Sequence, residues 1–423
     1  MLKGVTGSGK TEVYFEAVAQ ALRAGKQALI LLPEIALTDR FVKRCEERFG
    51  IRPGHWHSEM KGRARRDIWT GVAKGHVPII VGARSALFLP FSNLGVVIVD
   101  EEHDGAYKQE EGTIYNGRDM AVLRSSIEGA KVILASATPS VESLYNAQLG
   151  KYELVELTER FGPAVLPEMR VSDMRNAELD ASHWIGPELR REIYKRLEIK
   201  EQSLLFINRR GYAPLTLCRA CGHQIECSEC DARLVEHRFH DRLQCHQCGF
   251  ERKKPQTCPE CSVEGRLASV GPGVERLADE VQELFPEARV CVLSSDLVQG
   301  EAQLRETLET ITNGGYDVIV GTQMIAKGHN FPNLTLVGII DADIGLEGAD
   351  LRGAERAFQL VRQVTGRAGR AAKPGLALVQ SYQPHHPILN AILSNDDSQF
   401  YQLQMREREA GQAPPFVRYI GAI

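Results

Sequence analysis

No stretch of this 423-residue chain is long and apolar enough to cross a bilayer. The longest apolar runs, around Leu94–Val99 and Leu334–Ile340, fall far short of the roughly 20 residues a spanning helix needs. No basic segment leading into an apolar one follows Met1, so no secretory signal is expected. Neither sign of charge dominates. At a net charge of −4 there is no global basic field, and any nucleic-acid binding has to come from local clusters. Internal repeats and low-complexity segments are also lacking. Outside one block, cysteine is confined to Cys45 and Cys291, in helix-like and strand-like contexts that suit packing residues. These absences describe a soluble, cytoplasmic chain without a membrane partner. In such a reducing compartment, clustered cysteines hold metal more often than they form disulfides.

What is present is a long α/β alternation, with room for roughly two to four domains. In the first third, short apolar runs alternate with helical stretches, as in a parallel sheet covered by helices. Strands are expected at Gln27–Leu32, Pro78–Val81, Leu94–Asp100 and Lys131–Ala135. From Tyr152 to Ser182 the pattern lapses among Gly162, Pro163 and Pro167, which reads as a connection between two lobes. A second set follows, with strands expected at Ser203–Asn208, Ala288–Leu293, Tyr316–Val320, Leu334–Asp341 and Gly375–Gln380. Helices are expected at Val274–Phe285 and Arg352–Val364. The expected division is a first lobe over 1–159 and a second over 160–385, interrupted by an insertion at 215–265. A further domain begins at 386–423.

Gly4-Val5-Thr6-Gly7-Ser8-Gly9-Lys10-Thr11 has the spacing of a phosphate-binding loop. Its glycines let backbone N–H groups close around phosphates, Lys10 can reach the β and γ phosphates, and the Thr11 hydroxyl can ligate Mg²⁺. A chance glycine-rich turn is the alternative. It is disfavoured by the helical segment Glu12–Leu22 and by the later strand that ends in Asp100-Glu101-Glu102-His103. An acid at the tip of a buried parallel strand faces such a metal. Asp100 is therefore assigned to Mg²⁺, and Glu101 to orienting and deprotonating the attacking water. Gln363-Val-Thr-Gly-Arg367-Ala-Gly-Arg370 closes a charged helix, where two arginines three apart share one face. From a second lobe they could act as arginine fingers on the γ-phosphate. A basic C-terminal turn favouring the helix dipole is the equally open alternative.

The other cysteines form four Cys-x-x-Cys pairs: Cys218/Cys221, Cys227/Cys230, Cys245/Cys248 and Cys258/Cys261. Such a knuckle sets two thiolates for one tetrahedral zinc, so four pairs supply two closed Cys₄ sites. The fourteen-residue gap between Cys230 and Cys245 has room for a two-stranded hairpin. This joins the two inner pairs and leaves the outer two to close together. A sequential pairing is possible but tighter. Disulfides or a redox dithiol are the rival readings of the motif. His223, His237, His240 and His246 lie nearby, but eight thiolates already satisfy two metals. The block has a polar surface bearing lysines and arginines and little apolar content, so zinc is expected to supply its folding free energy.

In order, these segments resemble superfamily 2 helicases of the DExH type. Gly4–Thr11 is similar to motif I, Pro33–Thr38 to motif Ia, Val81–Phe88 to motif Ib, Asp100–His103 to motif II and Ser136-Ala137-Thr138 to motif III. Phe206–Tyr212 is similar to motif IV, Gly321–Gly328 to motif V and Gln363–Arg370 to motif VI. With four cysteine pairs between motifs IV and V, the resemblance narrows to the PriA family and covers essentially the whole chain.

It implies an α/β protein of two RecA-like lobes with ATP between them and a two-zinc insertion in the second. ATP, Mg²⁺ and two Zn²⁺ are the implied cofactors, and His103 and Gln363 join the catalytic set. The implied activity is 3′→5′ helicase movement on single-stranded and forked DNA to restart replication. Primosome proteins and single-strand-binding protein are the implied partners, and a monomer is expected. The resemblance also makes His103–Asp119 an aromatic-rich loop, with Tyr107 and Tyr115 available to stack on bases. Ordinary loop packing is the alternative.

The departures from the family are few. Only Met1-Leu2-Lys3 precede Gly4, so the chain reads as a helicase core without N-terminal DNA-binding domains or most of the C-terminal domain. Asn116 and Gly117 stand where His and Ala are common. The rival functions are an assembly module with defective ATP turnover and a double-strand DNA translocase.

Overall fold

In the computed structural model, all residues are described except 34–38, 59, 161–166, 178, 180–182, 208–214, 231–232, 238–241, 246–247, 271–272, 295–300, 323–330, 344–345, 347–349, 369–372, 395 and 420–423. Arg370 and most of the segments resembling motifs Ia, IV and V therefore lie outside the described residues. The chain divides into two compact units, Met1–Gly162 and Pro163–Ile423.

The first unit runs β1 (Leu2–Gly4), α1 (Lys10–Arg23), β2 (Gln27–Leu31), α2 (Asp39–Phe49), β3 (Gly54–Trp56), α3 (Gly62–Ala73), β4 (Ile79–Gly82) and β5 (Leu94–Asp100). A small hairpin follows, β6 (Lys108–Gln109) and β7 (Tyr115–Asn116), then α4 (Gly117–Glu128), β8 (Lys131–Ser136), α5 (Val141–Gln148) and β9 (Val155–Leu157). Seven strands form one parallel sheet in the order β3-β4-β2-β5-β8-β1-β9. Near-continuous apolar runs such as Gln27-Ala-Leu-Ile-Leu suit strands covered on both faces. Alternation then sorts the side chains. Ala28, Ile30, Val96 and Ile98 pack with Phe15 and Val18 of α1, while Leu29, Leu31, Val97 and Val99 pack on the other face with Ala121 of α4. β1, β3 and β9 have only three residues each, too few to show a period in the sequence.

The second unit runs β10 (Glu168–Asp173), α6 (Pro187–Glu198), β11 (Gln202–Phe206), then β12 (Leu215–Cys218), β13 (Val235–His237), β14 (Arg242–Gln244), β15 (Glu251–Lys253) and β16 (Leu267–Val270). It continues with α7 (Val274–Leu284), β17 (Val290–Leu293), α8 (Glu301–Thr312), β18 (Val318–Gly321), β19 (Leu334–Ile339), α9 (Gly353–Thr365), β20 (Leu376–Ser381), α10 (Pro387–Leu393) and α11 (Asp397–Ala410). Six strands make a second parallel sheet, β10-β20-β19-β11-β18-β17. The stretch read as a connection thus contributes a strand to each sheet, β9 to the first and β10 to the second. β10 is an edge strand whose side chains are mostly exposed or half-buried, so its polar sequence Glu-Met-Arg-Val-Ser-Asp hides it.

The insertion leaves and re-enters through the antiparallel pair β12/β16 and carries β13–β15 beyond it. At the other end, α10 and α11 pack on lobe two, with the Phe400 ring stacked 3.9 Å from Phe358 of α9. Arg408 pairs with Glu355 at 2.7 Å in the same contact. Among the described residues, no helix is long and apolar enough to cross a membrane.

The sequence shows no repeat, yet the two sheets are built alike. Gln27 and Gln202 each begin a central strand and are 4% and 2% exposed. The Gln27 amide donates to the carbonyls of Val72 and Val77, and the Gln202 amide to those of Ile311 and Tyr316. Their backbone N–H groups donate to Asn93 O and Asn333 O respectively. The registers Leu31↔Val99 and Phe206↔Ile339 place β2 against β11 and β5 against β19 in the same relation.

Candidate nucleotide site and zinc centres

The loop after β1 turns on Gly7 and Gly9, whose φ values of +87° and +85° are left-handed, a region side chains resist. A Cβ on Gly4 would come within 2.5 Å of Ser8 Oγ, so that glycine is needed for close approach. Lys10, the first residue of α1, donates to Gly4 O at 2.8 Å. The lysine is thus folded back over the loop at a helix N-terminus, where anions are favoured.

Asp100 ends β5 beside this loop. Its Oδ2 accepts from the Tyr14 hydroxyl at 2.9 Å, and its backbone carbonyl accepts from the Tyr107 hydroxyl at 2.6 Å. Tyr14 lies one turn into α1, and its phenol also reaches the Thr11 hydroxyl. Lys10, Thr11 and Asp100 are thus brought together, with Tyr14 as a holder that sequence reasoning missed. The signal was available, since Tyr14 sits on the same helical face as Lys10 and Thr11.

Burial and the adjacent Glu101 push the Asp100 carboxyl up to about 6, against the pull of Lys10 and Tyr14 toward the ionised form. Such an under-compensated carboxylate fits a divalent cation. Bound there, Mg²⁺ would neutralise charge on the transferred phosphoryl group. Because the folded carboxyl titrates above its usual 3.8, the folded state binds this proton more tightly than the unfolded one. The group's contribution to stability is best below about pH 4 and is lost as pH rises through about 6. Asp100→Asn should therefore melt higher than the parent in metal-free buffer at pH 8, by on the order of 2–3 kcal/mol, while losing hydrolysis. The gain should shrink at pH 5; equal gains at both pH values in thermal melts would rule this origin out.

Glu101 follows with φ +49°, a left-handed conformation unusual for a glutamate. Its Oε2 is buried with no hydrogen-bond partner among the described residues, and His103 Nδ1 lies 3.6 Å away. His103 contacts Ser136 Oγ at 2.7 Å, and Ser136 Oγ accepts from Thr138 N, which ties motif II to motif III. Glu102 points the opposite way. It is 2% exposed and accepts from Ser140 N at 2.7 Å, Ser143 Oγ at 2.9 Å and Arg118 at 3.2 Å. That buried cluster holds the strained turn in place.

Arg118 is thus a structural anchor of this turn. The expectation that Tyr107 is available to stack on bases is corrected: it is 1% exposed and hydrogen-bonded to Leu31 O and Asp100 O. It cannot stack on a base without leaving the core. Tyr115 is half-buried, edge-on to the exposed Phe88 ring at 5.2 Å. Asn116 caps α4 by accepting from Arg118 N, and a Cβ at Gly117 would press on Arg84 and Tyr107 at 3.2–3.3 Å. Both departures from the family wording therefore have local reasons. Arg160 was also missed; its side chain passes 3.9 Å from where a Gly7 Cβ would stand.

In the second unit, α9 ends at Thr365 and its last turn tightens, with Arg367 N bonding to Val364 O and Ala368 N to Thr365 O. Arg367 therefore sits in the turn beyond the helix, not on its face as expected, because Gly366 ends the regular ladder. It is 7% exposed, and Gln363 is half-buried on α9.

The eight clustered cysteines separate into the two expected groups, Cys218/Cys221/Cys258/Cys261 and Cys227/Cys230/Cys245/Cys248, with the sulfurs of each within 4.8 Å of one another. The closest sulfur pairs across knuckles are 3.5–3.7 Å apart. That is close to the edge of a tetrahedron around a zinc with bonds of about 2.3 Å, and far above a disulfide's ~2.05 Å. The residues fit zinc. In three knuckles the residue after the second cysteine turns left-handed: Gly222 at +81°, Gly249 at +78° and Ser262 at +59°. Cys45 and Cys291 are buried, their thiols pushed up to about 12 and about 11 by desolvation, as suits packing residues.

A P-loop sequence and an acidic strand tip on one parallel sheet, a second sheet of the same design and a Cys₄ insertion are the architecture of a two-lobed helicase fold. Residues 1–147 match the DEAD/DEAH box helicase family, 265–372 the helicase conserved C-terminal domain and 227–253 the PriA DNA helicase Cys-rich region domain. Over its full length the chain is 44% identical to the replication restart protein PriA of Rickettsia felis, spanning 65% of that protein. It is 41% identical to that of Bacillus subtilis, with 98% of the chain covering 52% of the relative. The chain belongs to the PriA family of replication restart helicases. Among solved structures, a DNA- and AMPPNP-bound helicase, MrfA, shares the fold at a TM-score of 0.54 and 16% identity, over 94% of this chain and 48% of its own.

Proposed function

We propose that the chain is the motor of an ATP-dependent 3′→5′ DNA helicase that acts at stalled or abandoned forks, reloading the replicative helicase with primosome proteins. The observation that carries the reading is the convergence of Lys10, Thr11, Asp100 and Glu101 in one unit of a chain that also carries two Cys₄ clusters. ATP would lie on the loop Gly4–Thr11, with its phosphates against Lys10 and the backbone N–H groups. Asp100 and Thr11 would hold Mg²⁺. Glu101, held by the Glu102–Arg118 cluster, would take the proton of the attacking water. Arg367 and Arg370 from the second lobe would then meet the developing γ-phosphate charge, so that turnover waits on lobe closure.

The test is strand displacement on forked duplexes with either a 3′ or a 5′ single-stranded tail, with ATP. Unwinding of the 3′-tailed substrate alone is expected. ATP hydrolysis without displacement of either would favour a translocase, and no DNA-stimulated hydrolysis would favour an assembly module.

A further inference from the structure

The likeness of the two sheets assigns a counterpart to each catalytic position. The register pairs Val96 with Leu336 and Val99 with Ile339, so Ile340 stands where Asp100 stands and Asp341 where Glu101 stands. Asp343 matches His103. Its Oδ1 accepts from Ser381 Oγ at 2.5 Å, and Ser381 ends β20 where Ser136 ends β8, so the His103–Ser136 contact is repeated. Lobe two thus retains the carboxyl-edge crevice in which parallel α/β sheets bind ligands. With Ile340 for the metal carboxylate, it is not a second nucleotide site. Asp341 is 5% exposed, and neither of its oxygens has a hydrogen-bond partner among the described residues.

Into this crevice comes the first zinc knuckle. Arg219, between Cys218 and Cys221, is 6% exposed and donates to His183 O at 3.0 Å. It hydrogen-bonds the Tyr382 phenol, and its charge only partly offsets the burial and the neighbouring Asp343 that push the Asp341 carboxyl up to about 8. A Cβ on Gly222 would strike Tyr382 O at 2.5 Å, so the knuckle backbone lies directly on the end of β20. Tyr382 N in turn donates to Asp343 at 2.7 Å. Among the described residues the second cluster makes no such contact. Its cysteines pack with Ile225, Leu234 and Leu243 of the insertion, and Cys248 is exposed.

We infer that the knuckle Cys218–Cys221 plugs the lobe-two counterpart of the catalytic crevice, with Arg219 as a positioning residue. Through Tyr382, whose backbone N–H donates to Asp343, it sets the exit of β19, which leads to α9 with Gln363 and Arg367. The two zinc sites are then unequal: the one at Cys218/Cys221/Cys258/Cys261 belongs to the motor lobe, the other to the outer hairpin. The effect on turnover rests on the helicase reading above; the effect on local order does not.

Zinc-loaded full chain is compared with Arg219→Met, Arg219→Lys, Tyr382→Phe, the Met/Phe double variant and Cys248→Ser. Zinc content, amide hydrogen exchange and DNA-stimulated ATP hydrolysis are the three readouts. Arg219→Met should keep two zinc ions, speed exchange from Asp341 to Thr365 and lower kcat about tenfold at unchanged KM for ATP. Arg219→Lys should restore part of both losses. Tyr382→Phe, which removes the phenol that Arg219 bonds, should act alike and add nothing in the double variant; it stands in if Arg219→Met does not fold. Cys248→Ser should lose one zinc ion and leave exchange in lobe two unchanged. Wild-type exchange in Arg219→Met, or equal disturbance by Cys248→Ser, overturns the inference. A wild-type chain without ATP hydrolysis would refute the motor reading alone, with exchange still judging the plug.

Discussion

Glu101→Gln keeps nucleotide binding and lowers DNA-stimulated ATP hydrolysis by about 10²–10⁴-fold, the range expected for loss of a general base. The substitution preserves shape and hydrogen-bonding length but cannot accept the water's proton. Its neighbours are undisturbed: Asp100 keeps its bond to Tyr14, and the turn stays clamped by Glu102 on Ser140, Ser143 and Arg118. The left-handed φ of +49° at Glu101 is therefore maintained from behind rather than by its own side chain. Steady-state phosphate release paired with fluorescent-nucleotide binding separates the two effects. Wild-type turnover in the glutamine variant would remove Glu101 from the role of base.

The nucleotide loop, the acidic strand tip and the cysteine knuckles were legible because each is a short string whose chemistry depends on local spacing. Gly7 and Gly9 are needed for left-handed φ and Lys10 for its reach, and both demands are written in adjacent residues. Strands with long buried runs, such as Leu94–Asp100, were legible for the same reason.

What escaped was set by distant partners. β1 is a strand because β8 and β9 flank it, with Leu2 opposite both Ala135 and Val155. The inward turn of Tyr107 also depends on the Leu31 carbonyl, far from it in sequence, so the loop's composition suggested base stacking where the fold uses packing. The pairing of Arg118 with the buried Glu102, 16 residues away, was likewise not written in local spacing. Two RecA-like lobes were implied by the family resemblance, but the position-by-position equivalence of their sheets was not, because it is carried by hydrogen bonds from Gln27 and Gln202 to distant carbonyls.

Stripping both metals from the protein should unfold the insertion while sparing the first unit. Among the described residues, and apart from ligating cysteines, the insertion's own cluster consists of Ile225, Leu234 and Leu243, with Phe250 and Leu267 partly buried against them, while Leu217 packs on Met174 and Tyr382. Each buried aliphatic contributes only about 2 kcal/mol, too little to order strands as short as β13, β14 and β15. A structural zinc contributes on the order of 10 kcal/mol, so metal binding and folding are one equilibrium here. The first unit has its own clusters around Phe15, Ile30 and Val97 and no cysteine ligand. Chelation under reducing conditions should release two zinc ions and open protease sites between Arg219 and Arg266. Nucleotide binding to the loop Gly4–Thr11 should remain, while strand displacement is lost. Cys258→Ser together with Cys245→Ser should reproduce the effect without chelator. If the stripped insertion resisted protease as the loaded one does, apolar packing rather than zinc would be holding it.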